Sequence, residues 1–323
     1  MEQYEYSKYI TNKEGLRETI NKYGVAIIPN VINDLECTSI VDGLWNYFEH
    51  ISQKWTVPIN RTNQSSWKEI YKLYPIHAQL YQHFNCGHAQ IAWNIRQNPK
   101  IIEIFSHFWN CMPEDLLVSF DGFSFGFPPE VTHKGWNKNN TWYHTDQSYT
   151  RNEFQCIQSW ITGLDVNEGD STLAFMEGSN NFHEEFSKKY NIIDKSDWYK
   201  LKQEEEKFYL EKGCLYKKIK CPKGSLVFWD SRTIHCGCDV LKERLLPNFR
   251  AIIYLCYMHR SLCDKKNLEK KKKAFMELRT TNHYPCKIKL FPKNPQTYGK
   301  ELPEITVIDK PVLSDIGYKL AGF

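Results

Sequence analysis

The segment Trp142-Tyr-His-Thr-Asp-Gln-Ser148 places His144 and Asp146 two positions apart at the edge of a strand-like run. In extended chain, residues i and i+2 point to the same face, so one imidazole and one carboxylate could share a metal ion. A third ligand from another strand would complete a two-histidine, one-carboxylate facial set with open positions, the arrangement that suits non-haem iron(II). His235 is the candidate. It lies in Ser231-Arg-Thr-Ile-His-Cys-Gly237, just past the strand-like run Gly224-Ser-Leu-Val-Phe-Trp-Asp230 and close to a turn. Arg250 then opens the apolar strand Ala251-Ile-Ile-Tyr-Leu-Cys-Tyr257. A guanidinium there is costly to bury unless paired, and its planar fork fits a carboxylate best. Taken alone, His-x-Asp is a weak signal that also suits a hydrogen-bonded strand cap. The order His144, Asp146, His235, Arg250 is what makes a site. Arg244 competes for the role of clamp, but it sits in a loop before Pro247 rather than at the start of a strand.

Gln147, Gln158 and Thr162 are expected to line the pocket or pack in a sheet. Trp142 and Tyr143 are either lid aromatics or packing, and the aromatic stretches near Trp136, Trp142 and Tyr149 suggest a partly apolar pocket. The other nine of the eleven histidines, including His83, His88, His133, His183 and His283, have no ligand partner at diagnostic spacing and read as structural or surface residues. Cys236 and Cys238 flank Gly237, but a zinc site would need two more ligands nearby and none follows.

The elements that must position these residues fall into three stretches. Residues 1–115 read as helical support. A helix over Glu14–Tyr23 stops at Gly24, and Val25-Ala-Ile-Ile-Pro29 is a short buried strand. A second helix starts at the caps Asn33 and Asp34 and carries Ile40, Leu44, Tyr47 and Phe48 on one face. From Ser66 to Trp109 the pattern is mostly helical, with Pro99 opening its last helix. Residues 116–258 are a succession of short strands rich in β-branched and aromatic residues, with Gly, Pro, Asn and Asp between them. This predicts a mainly β core of jelly-roll type, since the regular strand–helix alternation of a parallel α/β fold is missing. Residues 259–323 form a basic helical and proline-containing extension. Its run Lys265-Lys-Asn-Leu-Glu-Lys-Lys-Lys-Lys273 reads as a solvated helix face docked through Leu268, Ala274, Phe275 and Leu278. No repeat or linker divides the chain, so 1–323 is expected to be one domain.

With 323 residues, 41% of them hydrophobic, the chain can bury a full core. A balance of +4 with 25% charged residues gives no global field of the kind that marks an obligate nucleic-acid or membrane-surface protein. The N-terminus lacks the apolar run of a signal peptide, and no stretch is long enough to cross a bilayer. Eleven scattered cysteines then read as reduced thiols, and the expected location is cytoplasmic.

Four motifs in order, His-Thr-Asp (144–146), Gly-Asp-Ser-Thr-Leu-Ala-Phe-Met-Glu-Gly-Ser-Asn-Asn-Phe-His (169–183), Thr-Ile-His-Cys-Gly (233–237) and Arg-Ala-Ile-Ile-Tyr (250–254), resemble the phytanoyl-CoA dioxygenase (PhyH) family of 2-oxoglutarate oxygenases. The opening Tyr23-Gly-Val-Ala-Ile-Ile-Pro-Asn-Val31 is also similar, and the likeness covers most of residues 20–258. It implies a double-stranded β-helix, cupin-like, with iron(II), 2-oxoglutarate and O2, and admits ascorbate as an accessory reductant. The implied reaction is C–H hydroxylation of a small molecule with release of succinate and CO2. It makes His144, Asp146 and His235 the iron ligands, Arg250 the clamp on the distal carboxylate of 2-oxoglutarate, and Trp160 a wall of the co-substrate pocket. Because Asp146 is present where related halogenases carry a small residue, hydroxylation is expected over halogenation. The chain departs from the family at Phe127-Pro-Pro129, where a lysine often precedes the prolines, and at Glu177–His183, where Pro-Gly-Ser-His is common. Arg279-Thr-Thr-Asn-His-Tyr-Pro285 has no counterpart and would either line the substrate entrance or pack.

Two other functions fit parts of the pattern. A nucleic-acid demethylase is suggested by Arg244 and Arg250, spaced like the arginines of the AlkB-type signature, although Leu246 and Asn248 break that signature. A jelly-roll protein that binds a metal or ligand without turnover is the alternative from outside catalysis.

Overall fold

The computed structural model describes residues 3–75, 80–138 and 142–323. The first helix runs Leu16–Tyr23 and ends where Gly24 turns left-handed at φ +79° and returns its N–H to Ile20. Asn33 caps the helix Asp34–Ile51 through a reciprocal pair of bonds with Glu36, as its sequence predicts. The stretch from Ser66 to Trp109 is less helical than its periodicity suggests. It holds 3-10 turns over Gln64–Leu73, a strand Leu80–Tyr81, and helices Gln90–Arg96 and Pro99–Trp109; part of it, 76–79, lies outside the described residues. Leu80–Tyr81 is extended because it pairs with Phe123–Gly126, a tertiary partner that local periodicity does not encode.

Two mostly antiparallel sheets form the core. The larger has the order Val25–Ile28, Leu226–Asp230, Ile157–Thr162, Arg250–His259, Phe123–Gly126, Leu80–Tyr81. The smaller has Gln3–Glu5, Tyr216–Ile219, Thr172–Met176, His235–Cys238, His144–Thr145, Tyr199–Lys200. Period-two alternation explains the layers. On the larger sheet Val25, Ile27, Trp160, Val227, Trp229 and Ile252 pack against Leu173, Phe175 and Ile219 of the smaller. Their neighbours Ala26, Ile161, Phe228, Ala251, Ile253 and Leu255 point the other way, into the N-terminal helices. Because both faces of the larger sheet are covered, its strands read as continuous apolar runs rather than alternating ones. Two helices that the strand pattern does not announce, His183–Lys189 and Gln203–Glu211, cover the outer face of the smaller sheet with Phe186, Phe208 and Tyr209.

The basic stretch forms the helix Lys265–Met276, docked through Ala274 and Phe275 as expected. One of its lysines departs from the solvated face. Lys271 is buried, donates to the Val118 carbonyl and lies 3.8 Å from the centre of the Phe120 ring. Burial, with Arg96 nearby, lowers its pKa to about 7. An unfolded chain, with lysine near about 10.4, binds more protons between these values, so this group makes stability rise with pH from about 7 to about 10 and fall on the way back. Lys271→Met is expected to flatten that slope and, at pH 7, to leave stability unchanged or raise it by about 1 kcal/mol. Urea denaturation at a series of pH values checks both; an unchanged slope would count against a buried, easily discharged lysine. Among the described residues no helix is long and apolar enough to cross a membrane.

Candidate metal centre

His144 and His235 face each other across the paired strands His144–Thr145 and His235–Cys238. The Asp146 main-chain N–H bonds to Ser231, which turns its carboxylate back to the face that carries His144. The result is a pair of imidazoles flanking one carboxylate, with Nε2 of His144 3.6 Å from Oδ1 and Nε2 of His235 3.4 Å from Oδ2. One ligand atom from each of the three lies within 4.8 Å of the others. Both Nδ1 atoms face main-chain carbonyls, His144 to Trp142 at 3.2 Å and His235 to Thr233 at 2.9 Å. A carbonyl only accepts, so Nδ1 carries a proton in each ring, which leaves Nε2 as the atom that could ligate a cation between it and Asp146. Gln158 donates to Asp146 Oδ2 at 2.9 Å and fixes the plane of the carboxylate. Burial alone would raise the Asp146 pKa, but His283, His144 and His235 outweigh it and hold the carboxyl far below its ordinary range. The donor set is that of a borderline divalent cation with room for further ligands.

These residues form one end of a cavity of about 390 Å³ between the two sheets. Arg250 lines it as well, its Nε bonded to Ser124 Oγ at 3.1 Å and its Nη1 to the Ser171 carbonyl at 2.6 Å. Among the described residues no carboxylate pairs with it. Trp160 stands beside it, the guanidinium carbon 5.8 Å from the ring centre, and its buried Nε1 has no hydrogen-bond partner among the described residues; the same holds for Trp229 Nε1 on the next strand. A buried cation without an anion and two orphaned donors are what a cavity built for a carboxylate-bearing ligand would leave open. An iron ion at the triad and a keto-diacid reaching Arg250 both fit the residues present.

The other arginine is committed elsewhere. Arg244 Nη2 meets Glu130 at 2.5 Å and its Nη1 meets Asp170 at 2.9 Å, with its side chain 1% exposed. Its spacing to Arg250 therefore carries no nucleic-acid signature; Asn248 is likewise tied to Asp165 and Asp170. Arg244→Ala strands two carboxylates and is expected to cost about 3 kcal/mol of stability. The same variant should leave 2-oxoglutarate affinity in the surviving folded protein unchanged. Chemical denaturation and calorimetry separate the two effects, and a selective loss of affinity would return Arg244 to the site.

Of the expected wall residues, Gln158, Trp160 and Trp142 line the cavity. Trp142 stacks on His144 with ring centres 4.6 Å apart. Gln147 and Thr162 do not line it. Gln147 donates to the carbonyls of Arg151 and Glu153, and Thr162 caps the end of its own strand by bonding Leu164. Tyr149 is also elsewhere, stacked on His183 behind the smaller sheet, and Trp136 lies outside the cavity.

His283 requires correction in the opposite sense. Read as structural from the sequence, it lines the cavity and influences Asp146 directly. The block around it both packs and lines: Tyr284 donates to the Asp146 carbonyl at 3.2 Å while Asn282 and His283 form cavity wall. Asp121, Gln82, Trp198, Tyr254 and Phe291 are further wall residues the sequence reading did not select. The only signal for the first was a polar residue inside an apolar strand-like run.

No protein-family model matches the chain. It is 24% identical over 277 residues, 83% of this chain and 85% of the other, to Ava biosynthesis cluster protein O of Aspergillus versicolor. The fold is shared with the hypothetical protein JW0805 of Escherichia coli, at 12% identity over 98% of this chain and 85% of that one with a TM-score of 0.58. It is also shared with a putative oxidoreductase of Salmonella typhimurium, at 12% identity over 98% and 86% with a TM-score of 0.56. A weaker structural likeness, TM-score 0.48 and 15% identity over 77% of this chain and 84% of that one, is to the non-heme alpha ketoglutarate dependent carbocyclase SnoK of nogalamycin biosynthesis.

Proposed function

We propose that the chain is an iron(II)- and 2-oxoglutarate-dependent dioxygenase on a double-stranded β-helix of phytanoyl-CoA dioxygenase type, hydroxylating a C–H bond of a small-molecule substrate. The observation that carries this reading is one cavity holding a two-histidine, one-aspartate cluster and, apart from it, a buried arginine with no carboxylate partner among the described residues. Bound iron with 2-oxoglutarate and O2 would supply the oxidation of an unactivated C–H bond, with succinate and CO2 released.

The chain's own residues prepare and contain that chemistry. His144, Asp146 and His235 would hold the metal on one side only, leaving the cavity side open to ligands. Each Nδ1–H donates to a main-chain carbonyl, which holds the ring in the orientation that turns Nε2 to the metal position. Arg250 would fix the distal carboxylate of the co-substrate, with Trp160 Nε1 as a further donor on that wall. Leu173, Trp229 and Trp142 line the cavity and would limit water around the reacting end. A binding protein of the same fold would use the same residues and stop at binding.

The test is turnover. Protein loaded with iron(II) under anaerobic conditions and then exposed to O2, 2-oxoglutarate and ascorbate should form succinate, slowly alone and faster with substrate. Calorimetry should show 2-oxoglutarate binding that requires metal. Binding without succinate, across a broad metabolite screen, would leave a ligand-binding module and defeat the enzymatic reading.

A further inference from the structure

We infer that the substrate presents a protonated nitrogen to Asp121 at the metal end of the cavity. This deepens the oxygenase reading and rests on it for the identity of the site. The charge balance of the cavity wall leads there. Asp146 belongs to the metal cluster, and Asp197 is held by Arg151 and by Lys289 at 3.7 Å. Arg250 would be neutralised by the co-substrate. Asp121 is the acid that remains: among the described residues no cationic side chain reaches its carboxylate. Arg96 lies below it, yet its guanidinium donates to the main-chain carbonyls of Gly87 and Asp121, not to the carboxylate.

The backbone places this carboxylate at the metal end of the cavity. Ser119 N–H bonds to Cys256 and Tyr254 N–H to Gly122, so Phe120 and Asp121 share the space opposite Leu255, and at this irregular register Asp121 lines the cavity together with Tyr254. Cys256 is opposite Gln158, the residue that holds Asp146. Asp121 lines the same cavity as the triad and feels the charge of Asp146, which puts it at the metal end, several residues along the sheet from Arg250. It is 9% exposed and held in place by the Gly122 N–H at 2.8 Å and by the Gln82 side chain. Residue 122 has to be glycine, since a Cβ there would collide with the Tyr81 carbonyl. Burial, with the Asp146 charge nearby, pushes the Asp121 carboxyl up to about 7 even though Arg96 and the Gly122 N–H act to lower it, so a cation beside it would be stabilising.

Two further features fit a nitrogen cation. The surrounding wall is aromatic, with Trp142, Trp198 and Phe291, and an alkylammonium is drawn to ring faces as well as to a carboxylate. His283 Nε2 is buried without a hydrogen-bond partner among the described residues and offers a second polar contact on the same side.

The experiment uses full-length protein loaded with manganese(II), with and without 2-oxoglutarate, and three arylalkylamines (phenethylamine, tryptamine and N-methyltryptamine) beside their N-acetyl counterparts. At least one amine is expected to bind about tenfold or more tightly than its uncharged partner, and Asp121→Asn should reduce that preference to about twofold or less. Asparagine keeps an oxygen for the Gly122 N–H; should it still lower the melting temperature, the wild-type preference alone decides. If no amine outbinds its acetylated partner, or if Asp121→Asn folds and keeps the preference, the proposal is overturned. The arms without 2-oxoglutarate keep the two readings apart: failure of 2-oxoglutarate to bind or yield succinate strikes the oxygenase assignment, whereas loss of amine preference strikes this one.

Discussion

Asp146→Ala is expected to abolish metal-dependent turnover, by about a thousandfold or more, because a bound cation contributes several kcal/mol that two neutral imidazoles cannot secure alone. The variant should still fold. The main-chain contacts at this position, Asp146 N–H to Ser231 and the Asp146 carbonyl to Tyr284, do not involve the side chain. The substitution leaves Gln158 Nε2 without its carboxylate partner and leaves two Nε2 lone pairs facing an empty space. Calorimetric titration with manganese(II) should therefore show a large loss of affinity at nearly unchanged melting temperature. If metal affinity and succinate formation both survive, the three residues are not the metal site, and the hydrogen-bonded cap is the better account of His144 and Asp146.

Arg250→Ala should have the second largest effect, and of a different kind. Truncating one partner of a buried, hydrogen-bonded charge pair costs about 2 to 5 kcal/mol, so 2-oxoglutarate affinity should fall by about thirtyfold or more. Metal affinity should be retained, since the guanidinium is bonded to Ser124 and Ser171 and not to the triad. Lysine is expected to rescue little: it restores a charge but not the planar fork that meets a carboxylate with two parallel bonds. The measurement is the KM for 2-oxoglutarate alongside the manganese(II) dissociation constant. Equal losses in both would mean that Arg250 supports the fold of the whole site rather than the co-substrate.

Much of the site was readable from local sequence because its geometry is local. Two residues on one face of a strand need only an i, i+2 spacing, and His144 and Asp146 have it. The first helix stop at Gly24 and the capping pair Asn33 and Glu36 are equally local, as both are decided within one turn of helix. Arg250 was readable for a related reason: a charged residue opening an apolar strand demands a partner, whatever the fold.

Where the reading fell short, the deciding contact comes from an irregular loop without periodicity or from far away in the chain. Gln147 has the composition of a wall residue, but the loop that follows captures its amide. Arg244 and Arg250 have the same side chain, and the approach of Glu130 and Asp170 to the first separates it from the second, which has no carboxylate partner among the described residues. The helix of lysines looks uniformly solvated until Val118 and Phe120 receive Lys271.

The sequence by itself determined the donor set that could hold a metal, the β character of the core and the arginine that could clamp a carboxylate, because each follows from side-chain type and the two-residue period of a strand. Only the tertiary structure decided that His283 and Asp121 stand at the metal end of the same cavity. The physical reason is a single crossing: Thr281 exchanges hydrogen bonds with Phe120, bringing the C-terminal block onto the strand that carries Asp121. A contact between such distant segments leaves no periodicity in either, so composition and spacing could not report it.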